Sequence, residues 1–432
     1  MKNKLLSLFF YLFLFLTNTL FAQEFKGIIE FTSQDRILIL SPHPDDEAIG
    51  TGGVIQKALK KGAEVKIVIF TNGEHNELAF IVYKKRVILK KKEFILLGEM
   101  RRKETIQAME LLGLPKENII FLGYPDAGTM AIFTKYWQDM PPYRSLLTHI
   151  TNVPYPECLS YNAPYKGESI LKDLEKIILD FKPTKIFVSH PIDTNKDHRS
   201  LYLFLQVALW NLEGKIEKPA IYPYLIHVVG WPKPRGYHPE LELLPPKRLE
   251  NSGISWYRVD LSEEEVRKKY EAILLYKSQV KPYPIYLPTF ARKNEFFGDY
   301  PVIKLLREKE KVYWYDSIYG CDAENLFIKL HLKRRIAKDL GINIYIFGYN
   351  KDVEFAKMPK FRLSINISGL HIKEKKQTLF IKEIDLNYEN KGKTILLKIP
   401  FSILGNPNYI LTSISSRAIS FKETAWRLID IE

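Results

Sequence analysis

The segment Ser41-Pro42-His43-Pro44-Asp45-Asp46-Glu47 places an imidazole and three carboxylates in one proline-stiffened turn. Imidazole and carboxylate at short spacing suit a first-row divalent ion, zinc above all. A further carboxylate beside such an ion can hold or deprotonate water. The blander reading is a polar turn whose aspartates cap the next helix. Capping accounts for one Asp, but not for His43, the second Asp and Glu47 together. A second polar cluster, His190-Pro-Ile-Asp193-Thr-Asn195-Lys-Asp197-His198, lies downstream. A lone histidine is more often structural, but His198 stands at a helix start among carboxylates. It is a candidate third ligand, because catalytic zinc takes three protein ligands and keeps one open position. The run Gly50-Thr-Gly52-Gly53 is not a dinucleotide loop. Ile55 stands where the third glycine of G-x-G-x-x-G would fall, and the acidic cluster would repel a pyrophosphate.

The elements that must position these residues alternate between strand and helix. Strands are expected at Arg36–Leu40, Val65–Phe70, Ile119–Leu122 and Lys185–Ser189. Helices are expected at Gly53–Lys61, Phe94–Leu112, Leu171–Leu179 and Asp197–Leu212. This order predicts an α/β fold, a Rossmann-like, mostly parallel sheet with helices on both faces. Both polar clusters follow strand ends, where such sheets bind ligands. Ser262-Glu-Glu-Glu265 is a capping box opening a further helix. From about Leu326 the pattern changes to some seven short alternating runs separated by turns at Asn350, Gly369, Asn390-Lys-Gly392 and Gly405-Asn-Pro407. That predicts a smaller all-β sandwich over 326–432, after a linker at 299–325 and an α/β domain at 23–298.

The chain has 432 residues, 46% of them hydrophobic and 26% charged, which excludes disordered and collagen-like classes. The net charge of +14 suits an anionic surface or glycan. Two cysteines, Cys158 and Cys321, exclude a disulfide scaffold and a cysteine-based zinc cluster, and read as two separate thiols, with a bridge between them as the alternative that export would permit. Residues 1–22 combine a basic start, a short apolar run and Ala22 before a polar stretch. They read as a secretory signal, with an uncleaved anchor as the weaker alternative. The expected location is therefore periplasmic or extracellular.

The motifs occur together and in order, and the chain resembles the LmbE-like, PIG-L family of zinc-dependent N-deacetylases. Pro42-His-Pro-Asp-Asp-Glu47 is similar to the family's P/A-H-P-D-D-E, and Thr71-Asn-Gly-Glu74 to its T-x-G. Arg101-Arg-Lys-Glu104 with Leu112-Gly113 is similar to R-x-x-E…LG, and Phe121-Leu-Gly-Tyr-Pro-Asp126-Ala-Gly128 to F-L-G-x-P-D-x-G. Asp193-Thr-Asn195-Lys-Asp197-His198 is similar to D-x-H-P-D-H. Tyr276-Lys-Ser-Gln279 and Phe290-Ala-Arg-Lys-Asn-Glu-Phe296 are similar to late family segments. The resemblance covers roughly residues 35–298. It implies that His43, Asp46 and His198 hold zinc and that Asp45 is the general base, ionised at low pKa beside the cation. It implies that Arg101 and Asp126 face substrate hydroxyls, the alternative being a structural ion pair or turn cap. The implied activity is removal of an N-acetyl group from an amino sugar or glycan by metal-activated water.

One departure stands out. The family usually has histidine where this chain has Asn195. Asparagine can donate to an oxyanion but supplies no proton. Asp45 would then carry the proton to the amine, or a group such as His190 would substitute. Two features bear on the partner. Residues 84–103 hold nine Lys/Arg and two Glu, either a solvated face or a docking patch for an anionic glycan or envelope surface. The aromatic stretch from His227 to Tyr237 is either a sugar-stacking rim or a packed loop. Through Phe401–Pro407 and Thr424–Arg427 the C-terminal sandwich weakly resembles carbohydrate-binding modules, with Tyr345, Tyr349 and Tyr388 as candidate contacts. The favoured alternative is a spacer or stabilising role in which such aromatics are core. Nucleic acid is excluded by the absence of any motif for it. Oligomeric state is left open. The competing readings are a non-catalytic glycan-binding protein and a hydrolase of another amide. The intact Asp45 speaks against the first.

Overall fold

Uninterrupted apolar runs become interior strands here, because a strand covered on both faces has no polar side. The computed structural model describes residues 25–76, 81–82, 90–309, 311–332, 335, 341–374, 377–379, 386–416 and 425–432. The signal-like segment 1–22 and positions 84–89 of the basic run lie outside them. After a short β1 (Gly27–Ile28) come β2 (Arg36–Ser41), α1 (Asp46–Lys60), β3 (Glu64–Thr71), α2 (Lys91–Leu111) and β4 (Ile119–Tyr124). Then follow α3 (Thr129–Lys135), α4 (Gly167–Phe181), β5 (Lys185–Ser189), α5 (Lys196–Asn211) and β6 (Ala220–Tyr224). Strands β2 to β6 form a wholly parallel sheet in the order β4-β3-β2-β5-β6.

The winding reverses at β2. Strands β3 and β4 are added on one side of it, β5 and β6 on the other. Loops leaving β2 and β5 therefore part from each other and open a crevice at their carboxyl ends. The His43–Glu47 turn leaves β2, and the His190–His198 segment leaves β5.

Helix α1 begins at Asp46, earlier than its glycines suggest. Those glycines serve close packing. A Cβ on Gly50 would stand 2.7 Å from the Tyr224 ring, and one on Gly53 would strike Leu261. Beyond β6 the chain forms β7 (Tyr257–Asp260), α6 (Glu263–Leu274), α7 (Lys277–Val280) and β8 (Asn294–Phe297). The capping box at α6 is present, with Glu265 accepting from Ser262 N at 2.8 Å. Helix α6 packs on α1, while α5 packs on α3 and α4, which supplies helical cover for the sheet. Glu295 of β8 accepts from Gly53 N at 2.7 Å and Val54 N at 2.9 Å, and pairs with buried Lys269 at 2.6 Å. One carboxylate thus joins α1, α6 and β8.

The C-terminal region holds β9 (Ile303–Leu305), β10 (Tyr313–Trp314), β11 (Tyr319–Cys321), β12 (Asn325–His331), β13 (Ile342–Tyr349) and β14 (Lys360–Asn366). It continues through β15 (Gly369–Glu374), β16 (Gln377–Leu379), β17 (Asn387–Lys391), β18 (Thr394–Pro400), β19 (Tyr409–Ser416) and β20 (Trp426–Ile431). Two sheets result, β10-β11-β12-β18-β17 and β16-β15-β14-β13-β19-β20-β9. Positions 299–325, read above as a linker, contribute β9, β10 and β11 to them. Strands β15 and β17 start or end directly at residues read as turns.

Ile342, Ile344 and Ile346 of β13 share an apolar cluster with Leu326, Ile328 and Ile395 of the other sheet. The alternate side chains Phe347 and Tyr349, with Leu411 and Trp426, belong instead to the α/β core. There Phe133 meets Phe347, Phe355 and Trp426 at ring-centre distances of 5.8, 5.8 and 6.2 Å. The seven-stranded sheet is thus covered on its second face where Phe347, Tyr349, Leu411 and Trp426 lie. Cys158 and Cys321 are free and belong to different clusters. Among the described residues no helix is long and apolar enough to cross a membrane.

Candidate functional site

The turn after β2 is held open for chemistry by its neighbours. Asp45 has φ 125° and ψ −32°, a conformation that costs a non-glycine residue about 1–3 kcal/mol. The cost is met by contacts on either side. Arg101 Nη2 donates to Pro44 O at 2.7 Å and Nη1 to Gly73 O at 2.8 Å. Glu47 Oε2 accepts from Asp45 N at 3.1 Å and from Ser41 Oγ at 2.9 Å, while Tyr276 donates to its other oxygen. The Asp45 backbone carbonyl starts α1, and its side chain makes no cap. The capping reading of this carboxylate therefore fails, and the side chain is left to line the cavity.

Asp46 is the hub. Its Oδ2 stands 3.0 Å from His43 Nδ1 and 3.0 Å from His198 Nε2. All three side chains are buried, and their donor atoms lie within 4.8 Å of one another. His198 Nε2 lacks the alignment of a hydrogen bond to Asp46 despite the short distance. His43 Nδ1 does hydrogen-bond Asp46 Oδ2, but two imidazoles and a carboxylate converging in a buried pocket suit a divalent ion, and this donor set fits zinc. A second group, His43 with Asp126 and Asp197, is less suited. The Asp197 carboxylate is already occupied by Ala127 N at 2.8 Å and by Thr129 N and Oγ.

The loop after β5 treats its polar residues differently from one another. Asn195 is the N-cap of α5, its Oδ1 accepting from Asp197 N at 2.8 Å, so only its amide Nδ2 remains to donate into the cavity it lines. His190 cannot substitute for the missing imidazole. It is fully buried outside the cavity, accepts from Ile192 N at 3.1 Å and stacks on Trp256, and burial lowers its pKa to about 3. Besides His43 and His75, an imidazole that lines the cavity is His227, with its ring centre 4.8 Å from that of His198. Its place after β6 was the only sequence signal for it. Two aromatics of that loop have ring partners, Trp231 meeting Phe290 and Phe296 edge-on and Tyr237 stacking on Tyr270 at 3.9 Å, while Val229, Lys233 and Pro234 are exposed.

The cavity over the cluster has a volume of about 410 Å³, room for a sugar unit and its acyl group. Asp126 borders it, with Oδ1 3.3 Å from His43 Nε2 and Oδ2 accepting from His75 N at 2.9 Å. Arg101 also borders it, but is 3% exposed and spends its guanidinium on backbone carbonyls and on Asp45 Oδ2 at 3.4 Å. Its place in the basic run is therefore interior. Glu104, one turn on, binds Ser278 N at 2.9 Å and Ser278 Oγ at 2.6 Å. That brings Gln279 to the cavity wall.

Electrostatics follow from burial. Burial pushes the Asp45 carboxyl well above the carboxylate range; Arg101 opposes this, and Asp46 and Glu47 add to it. The low value expected for a base thus depends on a cation beside it. Burial disfavours charge on Asp46 too, but His198 and His43 hold it well below its usual value. Burial also opposes the His198 cation, yet Asp193 and Asp46 raise it to about 9. Glu74, which accepts from Asp126 N at 3.1 Å, is pushed up to about 8 by burial and Asp126.

The geometry agrees with what the chain is similar to. Residues 38–209 match the PIG-L family, described as GlcNAc-PI de-N-acetylase. These residues resemble a PIG-L domain. This stretch carries both polar clusters, β3 to β5 and β2 from its third residue on. The chain is 37% identical over 91 residues to a 1D-myo-inositol 2-acetamido-2-deoxy-alpha-D-glucopyranoside deacetylase of Tsukamurella paurometabola, covering 20% of this chain and 30% of that protein. It is 30% identical over 97 residues to a mycothiol S-conjugate amidase of Streptomyces coelicolor, covering 22% and 31%. The matched stretch thus spans about a third of these relatives. Among solved structures, the N,N'-diacetylchitobiose deacetylase of Pyrococcus horikoshii is 22% identical, with 61% of this chain and 83% of that chain covered and a TM-score of 0.38.

Proposed function

We propose that the protein is a metal-dependent hydrolase that removes the N-acetyl group of an amino-sugar substrate, with zinc as the metal. The observation that carries this is the convergence of His43, Asp46 and His198 beside a cavity-facing Asp45 that caps nothing. His43, Asp46 and His198 would hold the ion, which supplies Lewis acidity toward the amide carbonyl and water. Asp45 takes a proton from the attacking water, and the same carboxyl returns it to the departing amine. Water and amide are thereby converted to acetate and free amine. Arg101 keeps Asp45 in place through Pro44 O and Gly73 O. Asn195 Nδ2 and His227 are the donors available to the oxyanion. Asp126 is offered to substrate hydroxyls. The relatives' names support an N-acetylated sugar as substrate. The segment 1–22 supports export, with cleavage after Ala22.

The test is acetate release by the purified, zinc-loaded protein across N-acetylated mono- and oligosaccharides, beside Asp45→Asn. Release that vanishes in the variant while metal content stays equal is the expected result. No release from any sugar by folded, metal-loaded protein would reject the proposal.

A further inference from the structure

A second cavity lies where α3 meets the outer face of the seven-stranded sheet, and its chemistry is unlike that of the first. It has a volume of about 220 Å³ and is lined by Thr134, Lys135, Tyr345, Lys360, Arg362 and Lys373, with Phe347 at its floor. No carboxylate lines it. The register explains the collection. Tyr345, Arg362 and Lys373 stand directly across from one another on β13, β14 and β15, and Phe347 and Lys360 form the next row on the same face. Side chains on one face of neighbouring strands are forced together. Three adjacent positions thus give a phenol, a guanidinium and an ammonium side by side, and Lys135 closes the space from the α/β domain.

The cations are not all equally available. The Lys360 ammonium turns inward to Phe355 O and to Met358 O at 3.1 Å, and lies 4.8 Å from the Trp137 ring centre. It contributes positive potential. Arg362 spends one edge on Asn343 Oδ1, with Nη2 at 2.9 Å and Nε at 3.3 Å, and keeps Nη1. Among the described residues no carboxylate pairs with Lys135, Arg362 or Lys373, and none lines the cavity that gathers them. Like charges gathered without a counter-charge repel one another, so a bound anion relieves the site. Tyr345, half-buried beside them, offers the flat apolar surface that a pyranose ring covers.

We propose that this cavity binds the anionic substituent of an acidic saccharide, a carboxylate, sulfate ester or phosphate held by Arg362, Lys373 and Lys135 with the ring against Tyr345. Helix α3 runs from Thr129, hydrogen-bonded to Asp197 in the first site, to Lys135 here. At about 1.5 Å per residue, Thr129 and Lys135 are on the order of 10 Å apart along it. The proposal does not depend on the deacetylase reading, since it concerns binding alone.

The test is calorimetric titration of the full chain with an oligouronate, a sulfated oligosaccharide, a phosphorylated monosaccharide, a neutral oligosaccharide of the same length, and inorganic phosphate. The Arg362→Gln/Lys373→Gln double variant is titrated in parallel, with its thermal midpoint as a folding control. At least one acidic saccharide is expected to bind more tightly than the neutral one and than inorganic phosphate. The double variant is expected to lose about tenfold or more of that affinity with its midpoint unchanged. Which acidic saccharide binds best names the substituent. Equal binding of neutral and acidic sugars would overturn the proposal, as would an affinity unchanged in the variant. If inorganic phosphate binds as tightly as every saccharide, the saccharide part is wrong. Should the double variant unfold, Tyr345→Ala with Lys135→Gln gives the same readout.

Discussion

Asp193 Oδ2 lies 3.2 Å from Nδ1 of His198, on the side of the ring away from Asp46. The same oxygen accepts from His227 N at 2.8 Å, so its position is fixed by backbone. Burial disfavours its charge, but His198 and His227 hold its pKa at about 2, and it stays ionised at neutral pH. A fixed carboxylate on that side favours a proton on Nδ1, so a metal would displace the Nε2 proton. Asp193→Asn is expected to weaken zinc affinity by about 10–100-fold, measured by competition with a chromophoric chelator. An unchanged affinity would show that His198 needs no such support.

The two donors beside the cluster are predicted to differ in weight. Asn195 has its oxygen committed to the α5 cap, whereas the His227 ring meets the Tyr286 hydroxyl through Nδ1 at 3.4 Å and keeps Nε2. His227→Gln should lower kcat by about 10²–10³-fold with metal content unchanged. Asn195→Ala should lower kcat by less and cost about 1 kcal/mol of stability through the lost cap. The reverse order of kcat losses would assign the oxyanion to Asn195.

The parallel sheet and the metal-ligand candidates were readable because each depends on local pattern: apolar runs, strand-end positions, and residue types that only a cation reconciles. His227 was not readable as a site residue. Its position is set by β6 pairing with β5, a relation between distant segments. The three strands at 303–321 are short and were masked by a Lys/Glu run. The union of the two domains left one trace in sequence. From Tyr345 to Tyr349 both faces of β13 carry aromatic or aliphatic side chains, which a sheet with one wet face would not show. Tyr349 is accordingly core, 3% exposed and bonded through its hydroxyl to Asn211, and is no sugar platform.

That union makes a stability prediction. Trp426 of β20 meets Phe133, Tyr345 and Phe347, side chains of both domains. Trp426→Ala is expected to cost about 3–5 kcal/mol, seen as one cooperative shift in urea unfolding followed by both fluorescence and far-UV dichroism. Two separate transitions, with the α/β domain unaffected, would show that the contact does not couple the domains.

The pH dependence of stability has a contributor at the same junction. Asp299 accepts from the Tyr202 hydroxyl at 2.5 Å, and burial raises its pKa to about 6, with Tyr202, Tyr300 N and Arg427 opposing. Between its ordinary value of 3.8 and about 6 the folded state holds a proton that the unfolded state has released. Stability from this group is therefore full below that window and is lost as pH rises through it, by up to about 3 kcal/mol. Asp299→Asn removes the titration while keeping an acceptor for Tyr202. The difference in unfolding free energy between wild type and variant should grow in the variant's favour from pH 4 to pH 6.5 and then level off. A difference that stays flat with pH would mean that Asp299 titrates alike in the folded and unfolded chains.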